Sequence, residues 1–264
     1  MASEHAPTDA NLVEIFSSVQ GEGPHIGETT LFVRFGECDL RCRWCDTPHT
    51  WRPAKTCRFE RTRGSAEFDV RDNPVLVEDA IAAAERLELS RHAFVSLTGG
   101  EPLLQPTAVR EFALAIRARG PRVHLETHGL HADALTQVVD AVDVVSMDWK
   151  FASDVRRVGD PRSGPVAAFD DAHDAFLKIA RQASEVVIKL VVAPATSDEE
   201  IDEVCRRVAP HADEISLILQ PVTPFGGVRE ATDPSRLHAV LRRASAAVPR
   251  VRLIPQTNRI LDLL

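Results

Sequence analysis

No stretch of the 264-residue sequence approaches the roughly 20 consecutive apolar residues that a membrane helix needs. The best candidate is broken by Lys189 and Pro194. Lysine and arginine form no block, and the formal net charge is −8 with a pI of about 5.7, so a nucleic-acid partner is not expected. Met1 to Ala10 lack the basic-then-apolar order of a secretory signal. Cysteine is scarce: five residues, an odd number with three of them clustered, argue against a disulfide framework and for thiols kept reduced. There is no internal repeat and no low-complexity tract. What remains is the expectation of a soluble, cytoplasmic chain with no membrane and no nucleic acid to bind, whose substrates are small.

What is present starts with a length near that of one large α/β domain and 44% hydrophobic residues, enough for a sizeable core. Short β-branched runs predict strands at Thr29–Phe35, Ala93–Thr98, Arg122–Glu126, Asp143–Asp148, Glu185–Val192, Glu214–Gln220 and Arg250–Ile254. Stretches of helical period separate them: Val77–Glu88, Pro106–Arg119, Ala132–Val139, Val166–Arg181, Ser197–Val208 and Pro234–Ala247. Ser197-Asp-Glu-Glu reads as a capped helix start and Gly120-Pro121 as a stop. Alternating units of this kind require a parallel sheet, because each parallel connection needs a crossover. Six units predict a partial (β/α)6 barrel in a single domain, 1–264. The segment 53–74, rich in Arg, Pro, Gly and Asp, reads as an insertion or mobile flap over one end of it.

The most informative run is Glu37-Cys-Asp-Leu-Arg-Cys-Arg-Trp-Cys-Asp46, with cysteines spaced C-x3-C-x2-C. Three thiolates can hold three irons of a cubane cluster, whereas a closed cluster takes four cysteines. One iron is then open to a reactant. The lesser alternative on spacing alone is a Cys3His zinc site from Cys38, Cys42 and Cys45 with His49. Cys57 and Cys205 are isolated and read as small buried hydrophobes. Polar or glycine-bearing segments follow successive strands: Thr98-Gly-Gly-Glu-Pro102, Glu126-Thr-His-Gly129, Ser146-Met-Asp-Trp-Lys150 and Gln220-Pro-Val-Thr223. Barrel chemistry sits at the carboxyl ends of strands, which is where these fall. His124 and His128 are attractive as acids or bases, although ten histidines occur in the chain.

The cysteine motif together with Gly99-Gly-Glu-Pro102 resembles the radical S-adenosylmethionine (SAM) superfamily. That resemblance implies a [4Fe–4S] cluster on Cys38, Cys42 and Cys45, SAM on the fourth iron, and reductive cleavage of SAM to a 5′-deoxyadenosyl radical. It also implies SAM contacts from Trp44, Asp46, Gly99, Gly100, Glu101, Glu126, Ser146, Lys150, Gln220 and Pro221, with Glu101 partnering the ammonium group. Glu14-Ile-Phe-Ser-Ser-Val-Gln-Gly-Glu-Gly-Pro24, Phe32-Val-Arg-Phe-Gly-Glu-Cys38 and Trp44-Cys-Asp-Thr47 further resemble the 7-carboxy-7-deazaguanine synthase family, from near the N-terminus to the end of the chain, 53–74 matching least.

This narrower resemblance implies a lyase that contracts 6-carboxy-5,6,7,8-tetrahydropterin to 7-carboxy-7-deazaguanine with loss of ammonia, in queuosine-type 7-deazapurine biosynthesis. It places the substrate against Val19, Gln20, Gly21, Glu22, Thr98 and Asn258, with Arg34 on the carboxylate and Thr47 on a Mg²⁺ ion. An electron donor such as flavodoxin or ferredoxin and a homodimer are implied as well. An arginine fork suits a carboxylate, but an internal ion pair with an acid such as Glu22 is the alternative for Arg34. Where the family commonly shows Gln-Thr-His-Lys, this chain has Gln256-Thr-Asn258-Arg259, and Asn cannot titrate near neutrality. The rivals are a glycyl-radical activating enzyme and a zinc or iron–sulfur binding module without turnover.

Overall fold

The computed structural model describes residues 7–263; the part of the polar N-terminal reading that falls on 1–6 lies outside the described residues. Ten strands build the main sheet: β1 (Leu12–Val19), β2 (Thr29–Phe35), β3 (Thr56–Glu60), β4 (Phe68–Asp72), β5 (Phe94–Gly99), β6 (Arg122–Thr127), β7 (Val144–Asp148), β8 (Glu185–Val192), β9 (Ile215–Pro221) and β10 (Val251–Leu253). Their spatial order is β10-β9-β8-β7-β6-β5-β2-β1-β3-β4. From β2 to β10 every neighbouring pair is parallel. The helices are α1 (Val77–Arg86), α2 (Pro106–Arg117), α3 (Ala132–Thr136), α4 (Asp170–Ala180), α5 (Asp198–Val208), α6 (Pro234–Ser245) and α7 (Thr257–Leu261). Helices α1 to α6 supply the six crossovers. Because β10 and β4 are left as free edges, the result is a partial (β/α)6 barrel. Among the described residues no helix is long and apolar enough to cross a membrane.

Period-two alternation splits each parallel strand between two environments. Leu31, Val33, Val95, Leu97, Val123, Leu125, Val145, Met147, Ile188, Leu190, Leu217 and Leu219 belong to the large aliphatic core. The alternate positions face inward, over a small floor of Phe94, Val144, Val187 and Ile218. Above that floor the inward residues are polar: Arg34, Thr98, His124, Glu126, Ser146, Asp148, Lys189 and Gln220. Helix ends follow local chemistry. At α5, Ser197 Oγ accepts the Glu200 N–H at 3.1 Å while Glu200 Oε2 accepts the Ser197 N–H at 3.0 Å, a reciprocal capping box.

Strand β1 and the segment 53–74 depart from the sequence reading. Strand β1 was legible only as a motif, since Glu14, Ser17 and Ser18 interrupt its apolar pattern; it pairs antiparallel with β2. The segment 53–74 is no flap over the cavity. It contains the β3–β4 hairpin, which adds to the sheet through parallel pairing of Glu14 with Arg58 and Ile15 with Phe59. Cys57 and Phe59 are buried in the core, and no residue of 53–74 lines the cavity.

The turn after β5 packs on the start of the cysteine loop: Gly100 N–H donates to Phe35 O at 3.0 Å and Glu101 N–H to Glu37 O at 2.8 Å. A Cβ on Gly100 would stand 2.0 Å from the Glu37 carbonyl oxygen. Gly100→Ala is therefore expected to cost about 1–3 kcal/mol through overpacking against backbone. A thermal melt and an iron count on the reconstituted variant check this, both falling together because the loop that moves carries the cysteines.

Candidate active site

Residues Leu40–Cys42 pair antiparallel with Val155–Arg157, and the Arg43 N–H donates to Asp154 O at 2.9 Å, which fixes the cysteine loop over the carboxyl ends of the strands. Cys38, Cys42 and Cys45 all line a cavity of about 430 Å³. Burial pushes the Cys38 thiol up to about 12, with Glu101 adding to it. The Cys42 thiol is pushed up to about 11 by burial, against the pull of Lys150. Such thiols give up their protons readily only to a cation that takes the thiolate. A single zinc ion, with Zn–S bonds of about 2.3 Å, would draw its sulfurs close together. Among the described residues the one trio of metal-ligand-type side chains within 4.8 Å of one another is Asp39, His128 and His131, so the cysteines and His49 do not form a zinc-like knot. The spread of the thiols suits a multi-iron cluster. Cys57 and Cys205 sit in the aliphatic core away from the cavity.

Of the expected site residues, only Glu101 and Pro221 do not line the cavity. Glu101 is fully buried behind its wall, where Oε1 accepts Leu103 N–H at 2.9 Å and Thr127 Oγ–H at 2.8 Å, and Oε2 accepts His128 N–H at 2.9 Å. This carboxylate ties two strand-end turns together. The carboxylate expected to partner the SAM ammonium is bonded here to three protein donors. His128 in turn bonds Asp39 Oδ1 through Nε2 at 2.8 Å, and His131 reaches Asp39 Oδ2 at 3.2 Å. Burial opposes the Asp39 charge, but the two histidines outweigh it and hold the carboxyl well below its usual range.

Across the cavity the inward polar residues form a connected set. Gln20 Nε2 donates to Glu126 Oε1 at 2.9 Å, Ser96 Oγ donates to the same oxygen at 2.6 Å, and Gln20 Oε1 accepts the Glu22 N–H at 3.0 Å. Lys150 Nζ lies 2.7 Å from Asp148 Oδ2 and 4.6 Å from the centre of the Trp44 ring. Lys189 Nζ pairs with Glu22 and, at 3.0 Å, with Asp148 Oδ1. Asp148, Lys189 and Gln256 were missed as site residues in the sequence. Lys189 carried a signal all the same: it is the one charge inside Val186-Val-Ile-Lys-Leu-Val-Val192, a costly place for an ammonium without acidic partners.

The radical SAM superfamily matches residues 33–208. The chain is 38% identical over 258 residues to a 7-carboxy-7-deazaguanine synthase of Geobacter sulfurreducens, covering 97% of this chain and 98% of that protein. The chain belongs to this family. A Methanopyrus kandleri protein of the same name is 33% identical, over 96% of this chain and 94% of its own length. In fold, a crystal structure of QueE from Escherichia coli superposes with a TM-score of 0.62 at 21% identity, covering 97% of this chain and 99% of that one. A structure of TYW1 with a lysine-pyruvate adduct bound gives 0.51 at 10% identity, over 83% of this chain and 74% of that one.

Membership of the radical SAM superfamily implies an iron–sulfur cluster and SAM, and the cavity fits them. Gln220 Oε1, Asn258 Oδ1 and His124 Nε2 are buried there without a protein partner, which leaves polar atoms for a ligand beside the three thiols. Arg34 lines the same cavity and is held from behind by an ion pair. Arg34 Nε donates to Glu14 Oε1 at 2.8 Å, and Arg58 takes Glu14 Oε2 through Nε at 2.8 Å and Nη2 at 2.5 Å. The internal acid beside Arg34 is Glu14 and not Glu22. Burial would raise the Glu14 pKa, but Arg34 and Arg58 hold it below the ordinary value. Helix α7 closes the opposite side: Thr257 N–H donates to Gly21 O at 2.8 Å, Gln256 Nε2 to Glu22 Oε1 at 2.6 Å, and Arg259 Nη2 to Asp46 Oδ2 at 2.9 Å. Gly21 is required for this closure, since a Cβ there would lie 2.5 Å from Asn258 Oδ1.

The backbone of Lys150 is set by His173. The Lys150 N–H donates to His173 Nε2 at 2.9 Å, and His173 Nδ1–H donates to Gly129 O at 2.9 Å, a pairing that only the neutral ring can make. Burial pulls its pKa down to about 3. An unfolded histidine titrates near 6.5, so the unfolded chain binds the proton first as pH falls. The contribution is complete above about pH 6.5 and is lost progressively towards pH 3. His173→Gln, which can accept and donate at the same places without titrating, should flatten the fall in unfolding free energy between pH 6 and 4 by roughly 1.4 kcal/mol per pH unit. Denaturant melts of both proteins across that range measure it.

Proposed function

We propose that this chain is a carbon–nitrogen lyase that contracts 6-carboxy-5,6,7,8-tetrahydropterin to 7-carboxy-7-deazaguanine with loss of ammonia, in queuosine-type 7-deazapurine biosynthesis. The observation that carries the reading is the convergence of Cys38, Cys42 and Cys45 with the Val19–Glu22 turn on one cavity, in a chain similar end to end to synthases of that name. When bound, a cluster on the three cysteines and SAM would supply a carbon-centred radical able to remove a hydrogen atom from the pterin. The chain's own residues do the rest. Trp44, Gly99, Gly100, Glu126, Ser146, Lys150 and Gln220 form the SAM side. The Val19–Glu22 turn, Thr98 and Asn258 form the pterin side.

Arg34, anchored through Nε, presents its remaining guanidinium nitrogens to the substrate carboxylate. The Gln20 amide, committed to Glu126 and to the Glu22 N–H, shapes the turn, while the Glu22 carboxylate accepts hydrogen bonds from the pterin's N–H groups. Thr47, whose hydroxyl lies 3.9 Å from Cys45 Sγ, offers one oxygen to a Mg²⁺ ion that would orient the carboxylate. Flavodoxin or ferredoxin would donate the electron to a homodimer in the cytoplasm.

A glycyl-radical activating enzyme would need an open groove for a peptide, whereas α7 is bonded across this cavity to Gly21, Glu22 and Asp46. The test is anaerobic reconstitution with iron and sulfide, then SAM, reductant and 6-carboxytetrahydropterin, with product identified by mass. Product is expected in large excess over 5′-deoxyadenosine, because the rearrangement is redox-neutral and returns the hydrogen. Equal amounts of the two would defeat that part of the reading, and no product mass would defeat all of it.

A further inference from the structure

We propose that Lys189 is a positioning residue that couples the two halves of the cavity, so that SAM and the pterin each bind more tightly when the other is present. The inference rests on the assignment above of the Lys150 side to SAM and the Glu22 side to the pterin.

Four side chains of alternating charge cross the cavity in series. Lys150, over the Trp44 ring of the cysteine loop, bonds Asp148 Oδ2 at 2.7 Å; Asp148 Oδ1 lies 3.0 Å from Lys189 Nζ; Lys189 also holds Glu22 Oε2. The far oxygen of Glu22 takes Gln220 Nε2 at 3.2 Å and Gln256 Nε2 at 2.6 Å, which carries the series on to α7. Every member of the charged series is at least four-fifths buried at its side chain. Asp148 stands at the end of β7 and Glu22 on the turn between β1 and β2, 126 positions apart in sequence by their numbers, and Lys189 from β8 bonds both. Burial works against the Lys189 charge, but Asp148, Glu22 and Glu126 outweigh it and raise its pKa well above the ordinary lysine value. The ammonium therefore stays in place as a charged link.

That arrangement has a thermodynamic consequence. One ammonium shared by two carboxylates takes a position set by both. A pterin that fixes the Glu22 carboxylate fixes Lys189, and through it Asp148 and Lys150, before SAM arrives; the second ligand then meets an ordered partner set and loses less conformational freedom. Either ligand also removes water from the series and strengthens its remaining bonds. Linkage makes the effect reciprocal, and coupling of this kind is typically about 5- to 150-fold.

The experiment is a binding cycle on anaerobically reconstituted protein: the SAM dissociation constant with and without saturating 6-carboxytetrahydropterin, and the pterin constant with and without SAM. In the parent, each ligand should tighten the other by about fivefold or more. Lys189→Gln, whose short neutral amide can reach only one carboxylate, should bring both factors to near one, with iron content retained. Lys189→Arg, which keeps the charge and several donors, should restore at least part of the coupling. If Lys189→Gln does not fold, Glu22→Gln tests the other end of the link: it weakens the pterin directly, so the readout is the ratio of the SAM dissociation constants without and with saturating pterin, which should fall to near one. Coupling absent from the parent, or undiminished in Lys189→Gln or in Glu22→Gln, overturns the inference and leaves the proposed function standing. A parent that binds SAM but no pterin at all overturns both.

Discussion

Alanine at Cys38, Cys42 or Cys45 is expected to leave the reconstituted protein with little iron and no measurable product, whereas Cys57→Ala and Cys205→Ala should keep the full iron load. The separation is physical. The first three thiols line one cavity on a loop fixed by the Leu40–Cys42 and Val155–Arg157 pairing. Cys57 is buried within the β3–β4 hairpin and Cys205 on the inner face of α5, both against aliphatic neighbours. Losing one of three cluster ligands leaves an iron without its thiolate, so the effect is near-complete loss and not a graded one. The two buried cysteines are small core side chains, and their truncation should cost stability alone, on the order of 1 kcal/mol. Iron and sulfide counts on the five variants, with product by mass, decide the matter; loss of iron from the Cys57 variant would be incompatible with a three-cysteine site.

The second large effect is expected at Arg34. Glu14 holds its Nε, and Arg58 shares the same carboxylate, so the guanidinium is fixed in orientation on the inner face of β2. Arg34→Lys keeps the charge but loses the planar fork, and pterin affinity should weaken by roughly 1.5–3 kcal/mol, about 10- to 150-fold. Iron content and SAM binding should persist. The competing account is that Arg34 serves only Glu14, a buried acid that would be left with Arg58 alone. Under that account Arg34→Lys would lower the melting temperature and leave pterin affinity unchanged. Arg58→Ala is the control: Arg58 lies outside the cavity, so its loss should leave pterin affinity unchanged while lowering the melting temperature through the buried Glu14. Titrating pterin into the three reconstituted proteins separates the possibilities.

Much of this site was legible before any fold was known, and the reason is locality. The cysteine spacing, the paired glycines after β5 and the Val-Gln-Gly-Glu-Gly turn are each contained within a dozen residues. Their chemistry depends on short-range geometry that a sequence states directly. The alternation of strands with helices gave the parallel sheet in the same way, because hydrophobic period is a local property. Glu101 shows the limit of such reasoning. A carboxylate beside two glycines invited a ligand-facing role, yet Thr127 and His128, more than twenty positions away, took up its oxygens.

By itself, then, the sequence singled out the cysteine loop, the succession of strands and helices, and the strand ends that line one cavity. Only the tertiary structure decided how the charges are paired. Glu14 is joined to Arg58 across 44 positions, and Lys189 to Glu22 across 167. The segment 53–74 became a sheet edge and not a flap because β1 offered it an unpaired strand. Partners this far apart are chosen by which inward positions the sheet register brings face to face, since a buried charge must take whatever opposite charge the fold sets beside it.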